Sequence, residues 1–118
     1  MKKITGLFVA MLLLLSSCGS VPLTGRKQVL LVSDQEVLSS SLTQYSDYMK
    51  SAAKSSSKDG AAMVTRVGKK IAAATEQYLK NNGLESEIKN FSWEFNLVKD
   101  PQVNAFCMPG GKIVVYEG

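Results

Sequence analysis

The sequence predicts an α+β fold, two helices packed on a small antiparallel β-sheet or hairpin, and three observations predict it. Apolar residues recur every three to four positions in two stretches, about 34–53 and about 60–81, the period of an amphipathic helix. The segment FSWEFNLV sets Phe91, Trp93, Phe95 and Leu97 against Ser92, Glu94, Asn96 and Val98, the period of two that belongs to a strand. Pro109-Gly110-Gly111 then leads into KIVVYE, a run rich in β-branched residues.

In chain order, residues 1–17 read as a leader. Lys2 and Lys3 precede an apolar run from Leu7 to Leu15, and small residues follow, the layout of a secretory signal. The run is short for a membrane span. LSSCG around Cys18 resembles a bacterial lipobox, which implies cleavage before Cys18 and lipidation of its thiol and amine. Gly19, which is not an aspartate, favours the outer membrane under the sorting rule for such proteins. Without the leader 101 residues remain, and the net charge falls from +4 to +2 because two lysines and no acids leave with it. The remaining lysines are scattered, so a nucleic-acid partner is not expected. A core this small buries a limited fraction of its surface.

Residues 18–32 read as a lipidated N-terminus and tether. Pro22 and Gly25 oppose early regular structure, and the apolar run Val29 to Val32 should pack onto something. Residues 33–118 form the structured remainder. Ser33 and Glu36 make a capping box ahead of a helix at about 34–53, with Val37, Leu38, Leu42, Tyr45 and Met49 on its apolar face. A polar connector, Lys54 to Gly60, separates it from a helix at about 60–81 whose stripe is Met63, Val64, Val67, Ile71, Ala74, Tyr78 and Leu79. That stripe is read as core, and Asn81-Asn82-Gly83 as a stop signal. Strands are expected at about 91–99 and 112–117, with Trp93 on a buried face. Pro101 breaks the first strand. Pro109-Gly110-Gly111 suits a turn with Pro second and a positive-φ Gly third.

The chemistry available is restricted. The chain has no histidine, so a His-ligated zinc and a Ser–His–Asp arrangement are both excluded within it. With Cys18 committed to lipid, Cys107 has no intrachain partner, and its apolar setting reads as a buried small hydrophobe rather than a reactive thiol. Glu94, Asp100 and Glu117 could approach one another, but solvated surface charges are the simpler reading. No phosphate-binding glycine loop is present.

The segment VKDPQVNAFCMPGGKIVVYEG, Val98 to Gly118, resembles the stretch just before the zinc motif in a family of membrane-associated metallopeptidases that includes the CAAX prenyl proteases, HtpX and the periplasmic protease BepA. The resemblance rests on Asp100, Asn104, Ala105, Phe106, Pro109, Gly110, Gly111, the strand Ile113 to Tyr116, and Gly118. It implies an incomplete metallopeptidase domain, followed in the family by an HExxH helix whose histidines bind zinc and whose glutamate activates water. None of those residues lies within 1–118, so the expectation is a chain inactive by itself that binds no zinc. The resemblance further implies a lipid-anchored zinc metalloendopeptidase in envelope quality control, on the periplasmic face of the outer membrane, acting on peptides or misfolded proteins. In these residues Asn104 and Pro109 to Gly111 shape a turn; in a full domain Asn104, Ala105, Phe106, Pro109, Gly110 and Gly111 would line a substrate cleft. The alternative is a non-catalytic lipoprotein that binds a partner through an exposed strand or helix.

Overall fold

A computed structural model describes residues 1, 6, 9, 18–21 and 23–118. The leader expected over residues 1–17 and the side chain of Cys18 lie almost wholly outside the described residues. Among those described, no helix is long and apolar enough to cross a membrane. The chain divides into two units, Met1–Ser33 and Asp34–Gly118.

In the first unit, β1 (Cys18–Ser20) pairs antiparallel with β2 (Lys27–Val29). The tether therefore carries a short hairpin that Pro22 and Gly25 argued against. Gly25 supplies the positive φ of 65° that its turn needs. The apolar run after it does not pack as expected: Val29, Leu31 and Val32 are exposed.

The second unit begins with α1 (Asp34–Ser51) and α2 (Lys58–Asn81). Ser57 caps α2, its side chain accepting from the Gly60 N–H at 3.1 Å. At the other end Gly83, at φ 72°, lets the Leu84 N–H return to the Leu79 carbonyl at 2.8 Å. A 3₁₀ segment, Glu85–Asn90, then leads to β3 (Glu94–Val98), β4 (Ala105–Met108) and β5 (Lys112–Tyr116).

The strands form one sheet in the order β3-β5-β4. β4 and β5 are an antiparallel hairpin, as the Pro-Gly-Gly turn implies, but β3 runs parallel to β5. The α+β class holds, with a mixed sheet in place of an antiparallel one. Parallel pairing needs a crossover, and residues 99–104 supply it by carrying the chain across to the far edge before the hairpin returns β5 to the middle. Phe91 to Trp93 precede β3 instead of extending it. They remain tied to the hairpin turn, with the Ser92 N–H donating to the Gly110 carbonyl at 2.9 Å and the Glu94 N–H to the Gly111 carbonyl at 3.0 Å.

The two helices cover opposite faces of this sheet. Against α1 lies the core cluster of Tyr45, Val98 and Val114, with Tyr48, Met49, Phe106, Met108 and Tyr116 packed around it. Val114, on the middle strand, is fully buried. α1 thus covers the face that the alternation of β3 marked as polar. On the other face Phe91, Trp93 and Phe95 stack in series, with centroids 4.7 and 6.5 Å apart, and Phe95 lies against Gly68 of α2.

Of the stripe expected of it, α2 buries Leu79 and half-buries Val64 but leaves the other members exposed. Its buried residues are Gly68, Ala72 and Leu79. Met63, Val67, Ile71 and Tyr78 are exposed. The small residues at 68 and 72 allow the helix to approach the aromatic row closely, and this rotation turns the larger apolar side chains away from it.

Candidate functional site

The hairpin brings the predicted site residues together without making them alike. Phe106 turns toward α1 and meets Tyr48 and Tyr116 edge-on, with centroids at 5.4 and 6.2 Å. Gly110 and Gly111 take φ of 90° and 76° and are buried, so the turn has the expected form. A Cβ on Gly111 would stand 2.7 Å from the Trp93 ring, and one on Gly110 would stand 3.2 Å from Leu38. Pro109 is exposed. Asn104 acts through its backbone: its carbonyl accepts from the Tyr116 N–H at 2.9 Å, and its side chain is exposed.

That bond sets the phase of the β4–β5 ladder. Ala105 stands opposite Val115 and Cys107 opposite Ile113. Antiparallel pairs alternate, so Phe106 and Met108 direct their main-chain groups at β5, and Ala105 and Cys107 direct theirs outward. β4 is an edge strand. Among the described residues, no other segment bonds the main chain of Ala105 or Cys107. The opposite edge is occupied: the Ser55 N–H donates to the Leu97 carbonyl at 3.0 Å and the Lys99 N–H to the Ala53 carbonyl at 2.8 Å. Natural sheets protect free edges with charge, proline or bulges. From Val103 to Met108 this edge carries none of them.

Cys107 corrects the sequence reading. It is exposed, not buried, because it lies on the α2 side of an edge strand that α2 does not reach. Its sulfur is nonetheless desolvated enough to raise the thiol pKa, which disfavours the reactive thiolate.

On the α1 face lies a polar cluster that the sequence did not mark as connected. The Lys112 ammonium, with its side chain only 5% exposed, donates to Glu94 at 2.9 Å and to the Ser92 carbonyl. The Tyr45 hydroxyl donates to Glu94 at 2.7 Å and accepts from the Asn96 amide at 2.7 Å. The Lys112 hydrogen bond, followed by that from Tyr45, holds the Glu94 carboxyl below its usual pKa. Desolvation first, then Glu94, pushes the Tyr45 phenol up to about 12. These groups border an open cleft of about 500 Å³ between α1 and the sheet. The three carboxylates do not gather. Glu94 holds Lys112, Asp100 accepts from the Gln102 N–H at 2.9 Å, and Glu117 accepts from Ser55. The alternation of β3 signalled that Glu94 and Asn96 share a face; the sequence carried no sign that Tyr45 and Lys112 would meet them there.

The segment that builds the hairpin, its free edge and the aromatic row behind it also carries the likeness to known proteins. Residues 64–118 match peptidase family M48. The M48 match takes in most of α2 and all three strands of the sheet and leaves out α1. Over 39 residues, 33% of this chain, the sequence is 49% identical to the mitochondrial metalloendopeptidase OMA1 of Arabidopsis thaliana, of which it covers 8%. Over 33 residues, 28% of this chain, it is 46% identical to the mitochondrial metalloendopeptidase OMA1 of Schizosaccharomyces pombe, of which it covers 10%. The chain thus spans a tenth or less of the length of these relatives. No solved structure matches. All three likenesses are to peptidases.

M48 metallopeptidases imply a metal, typically zinc, and the described residues do not fit one. No three of His, Cys, Asp or Glu come together among them. Glu94 is engaged by an ammonium and a phenol. A catalytic zinc takes three protein ligands, so the described residues do not assemble that site.

Proposed function

We propose that this chain is the substrate-holding, N-terminal part of a membrane-anchored zinc metalloendopeptidase of family M48, acting in protein quality control at a bacterial cell envelope. The observation that carries the reading is the open edge of β4. Within the M48-matching segment it presents the main-chain groups of Ala105 and Cys107 to solvent, with no charge or proline to repel a partner strand. An extended peptide can add to such an edge by backbone hydrogen bonds, which hold many sequences alike. That suits a protease that takes misfolded chains. Zinc would supply a polarised water and Lewis acidity, held by ligands outside residues 1–118. The role of this chain's own residues is to bind and align the peptide. The lipobox-like LSSCG supports a lipid at Cys18, on the periplasmic face of the outer membrane. Two or more acyl chains anchor stably where one does not.

The test is casein cleavage by the product of the complete reading frame. Cleavage should be abolished by a chelator and strongly reduced by Cys107→Pro, which removes an outward N–H and leaves the β4–β5 ladder intact. Absence of chelator-sensitive cleavage would refute the enzymatic reading. Cys18→Ser should leave a precursor or a soluble protein; a processed, membrane-bound Cys18→Ser product would refute the anchor.

A further inference from the structure

The segment that reads as a tether is folded, and its fold sets an apolar run beside the anchor position. Across the β1–β2 ladder Cys18 stands opposite Val29, Gly19 opposite Gln28 and Ser20 opposite Lys27. The Val21 N–H donates to the Arg26 carbonyl at 2.9 Å and the Gly25 N–H to the Val21 carbonyl at 2.8 Å, which closes the turn. Along an extended chain Val29 could stand about 36 Å from Cys18. Opposed across two antiparallel strands, the two Cα atoms are about 5 Å apart. Leu30 then lies over the next residue: a Cβ on Gly19 would stand 3.2 Å from Leu30 Cγ and closer still to Cδ1.

The surface so formed is apolar and basic. Val29, Leu31 and Val32 are 65%, 90% and 52% exposed. Arg26 and Lys27 are exposed too, and residues 18–33 contain no acid. Each strand has three residues, and all three side chains of β2 are exposed. A two-stranded hairpin is marginal in water by itself, so this one gains from any surface that takes its apolar side chains.

We infer that this surface docks on the phospholipid bilayer that holds the Cys18 lipid. Val29, Leu31 and Val32 enter the boundary between headgroups and acyl chains, and Arg26 and Lys27 meet anionic headgroups. The inference rests on the lipid anchor proposed above and adds a protein contact to it. The anchor fixes the occupant: acyl chains on Cys18 bring the leaflet to the residue that Val29 faces. The run belongs to the unit Met1–Ser33, separate from the one that carries the three-stranded sheet, and lies outside the M48 match, which begins at residue 64. A second copy of the chain is a poor occupant, because a stable dimer uses roughly 20–30 residues a side. Interfacial binding grows with buried apolar area and with attraction to anionic lipid. Each cation near an anionic leaflet strengthens it about fivefold.

The experiment uses the full chain, produced with its leader and carrying Leu31→Cys and Cys107→Ser. With Cys18 acylated, a nitroxide label then goes to residue 31 alone. Mass spectrometry reads the acylation, and the chain is placed in vesicles of phosphatidylethanolamine and phosphatidylglycerol. Electron paramagnetic resonance measures collisions of the label with oxygen, which concentrates in lipid, and with a neutral nickel chelate, which stays in water. Oxygen should relax the label at least about twofold more than the chelate does, as for a group about 5–10 Å into the boundary. Arg26→Gln with Lys27→Gln should lower the ratio of docked to free about 25-fold, about fivefold for each cation, and turn the preference toward the chelate. Chelate access above oxygen access in the acylated parent would overturn the docking and leave the anchor standing. Low access to both would put protein over the run and overturn the docking as well. An unchanged oxygen preference in the double variant would overturn the headgroup contact. A chain without acyl groups on Cys18 would overturn the anchor, and with it the docking.

Discussion

Gly68→Ala sets two opposed effects against each other in one substitution. Gly68 lies in the interior of α2, where alanine would ordinarily stabilise the helix by about 1 kcal/mol. A Cβ at this position would meet Phe95, standing 2.6 Å from Cε1 and 2.8 Å from Cγ, with Cδ1 closer still. Carbon atoms pack at roughly 3.5–4.0 Å, so the ring must withdraw by about 1 Å or the helix must lift from the sheet. The ring has little freedom to withdraw. It stacks on Trp93 at 6.5 Å between centroids, and Trp93 stacks on Phe91 at 4.7 Å. Overpacking costs about 1–3 kcal/mol, and contact with three ring atoms at once puts this case in the upper half. After the propensity gain, a net loss of about 1–2 kcal/mol remains. For a unit the size of Asp34–Gly118 that lowers Tm by about 5–15 °C. Thermal unfolding followed by far-UV circular dichroism measures it. An unchanged or raised Tm would refute the close approach of α2 to the aromatic row. Adding Phe95→Leu should recover part of the loss through coupling between touching sites.

Acid and alkali should each expose one side of the Tyr45–Glu94–Lys112 cluster. Glu94 is held below its usual pKa, so its contribution is complete above the ordinary carboxylate value of about 4.3 and is lost as pH falls through the folded value. Glu94→Gln should flatten that acid limb, and an acid limb identical to the parent's would refute the pairing. Tyr45 is raised to about 12, so its contribution is complete below pH about 10 and drains between about 10 and 12. Tyr45→Phe should shrink the alkaline limb without abolishing it, because Tyr48, desolvated and bonded to Tyr116, is also raised to about 12; an undiminished alkaline limb would count against the assignment. Trp93, half-buried with its indole N–H donating to Glu76 at 2.9 Å, should emit to the blue of free indole. Trp93→Ala should cost about 3 kcal/mol, the lower end for a buried aromatic, and an emission maximum like that of free indole would reject its placement.

The sequence by itself determined the local elements. Period located both helices to within a few residues, the stop signal Asn81-Asn82-Gly83 ended the second, and the period of two in FSWEFNLV placed β3. Gly83, Gly110 and Gly111 marked the turns because only glycine takes a positive φ without strain. The hairpin string carried the likeness to metallopeptidases, since it depends on residue identities and not on contacts. What the tertiary structure decided were the relations between elements. Periodicity reports that a face is apolar, but not which neighbour covers it. It therefore placed the Met63–Val67–Ile71 stripe in the core, when Gly68 and Ala72 in fact make the close approach and leave that stripe exposed. It likewise read Cys107 as buried, because an apolar neighbourhood in sequence does not reveal an edge position. The parallel pairing of β3 with β5 depends on where residues 99–104 carry the chain, which no local signal encodes. The Tyr45–Glu94–Lys112 cluster joins residues up to 67 positions apart, and only the packing of α1 onto the sheet brings them within hydrogen-bonding distance.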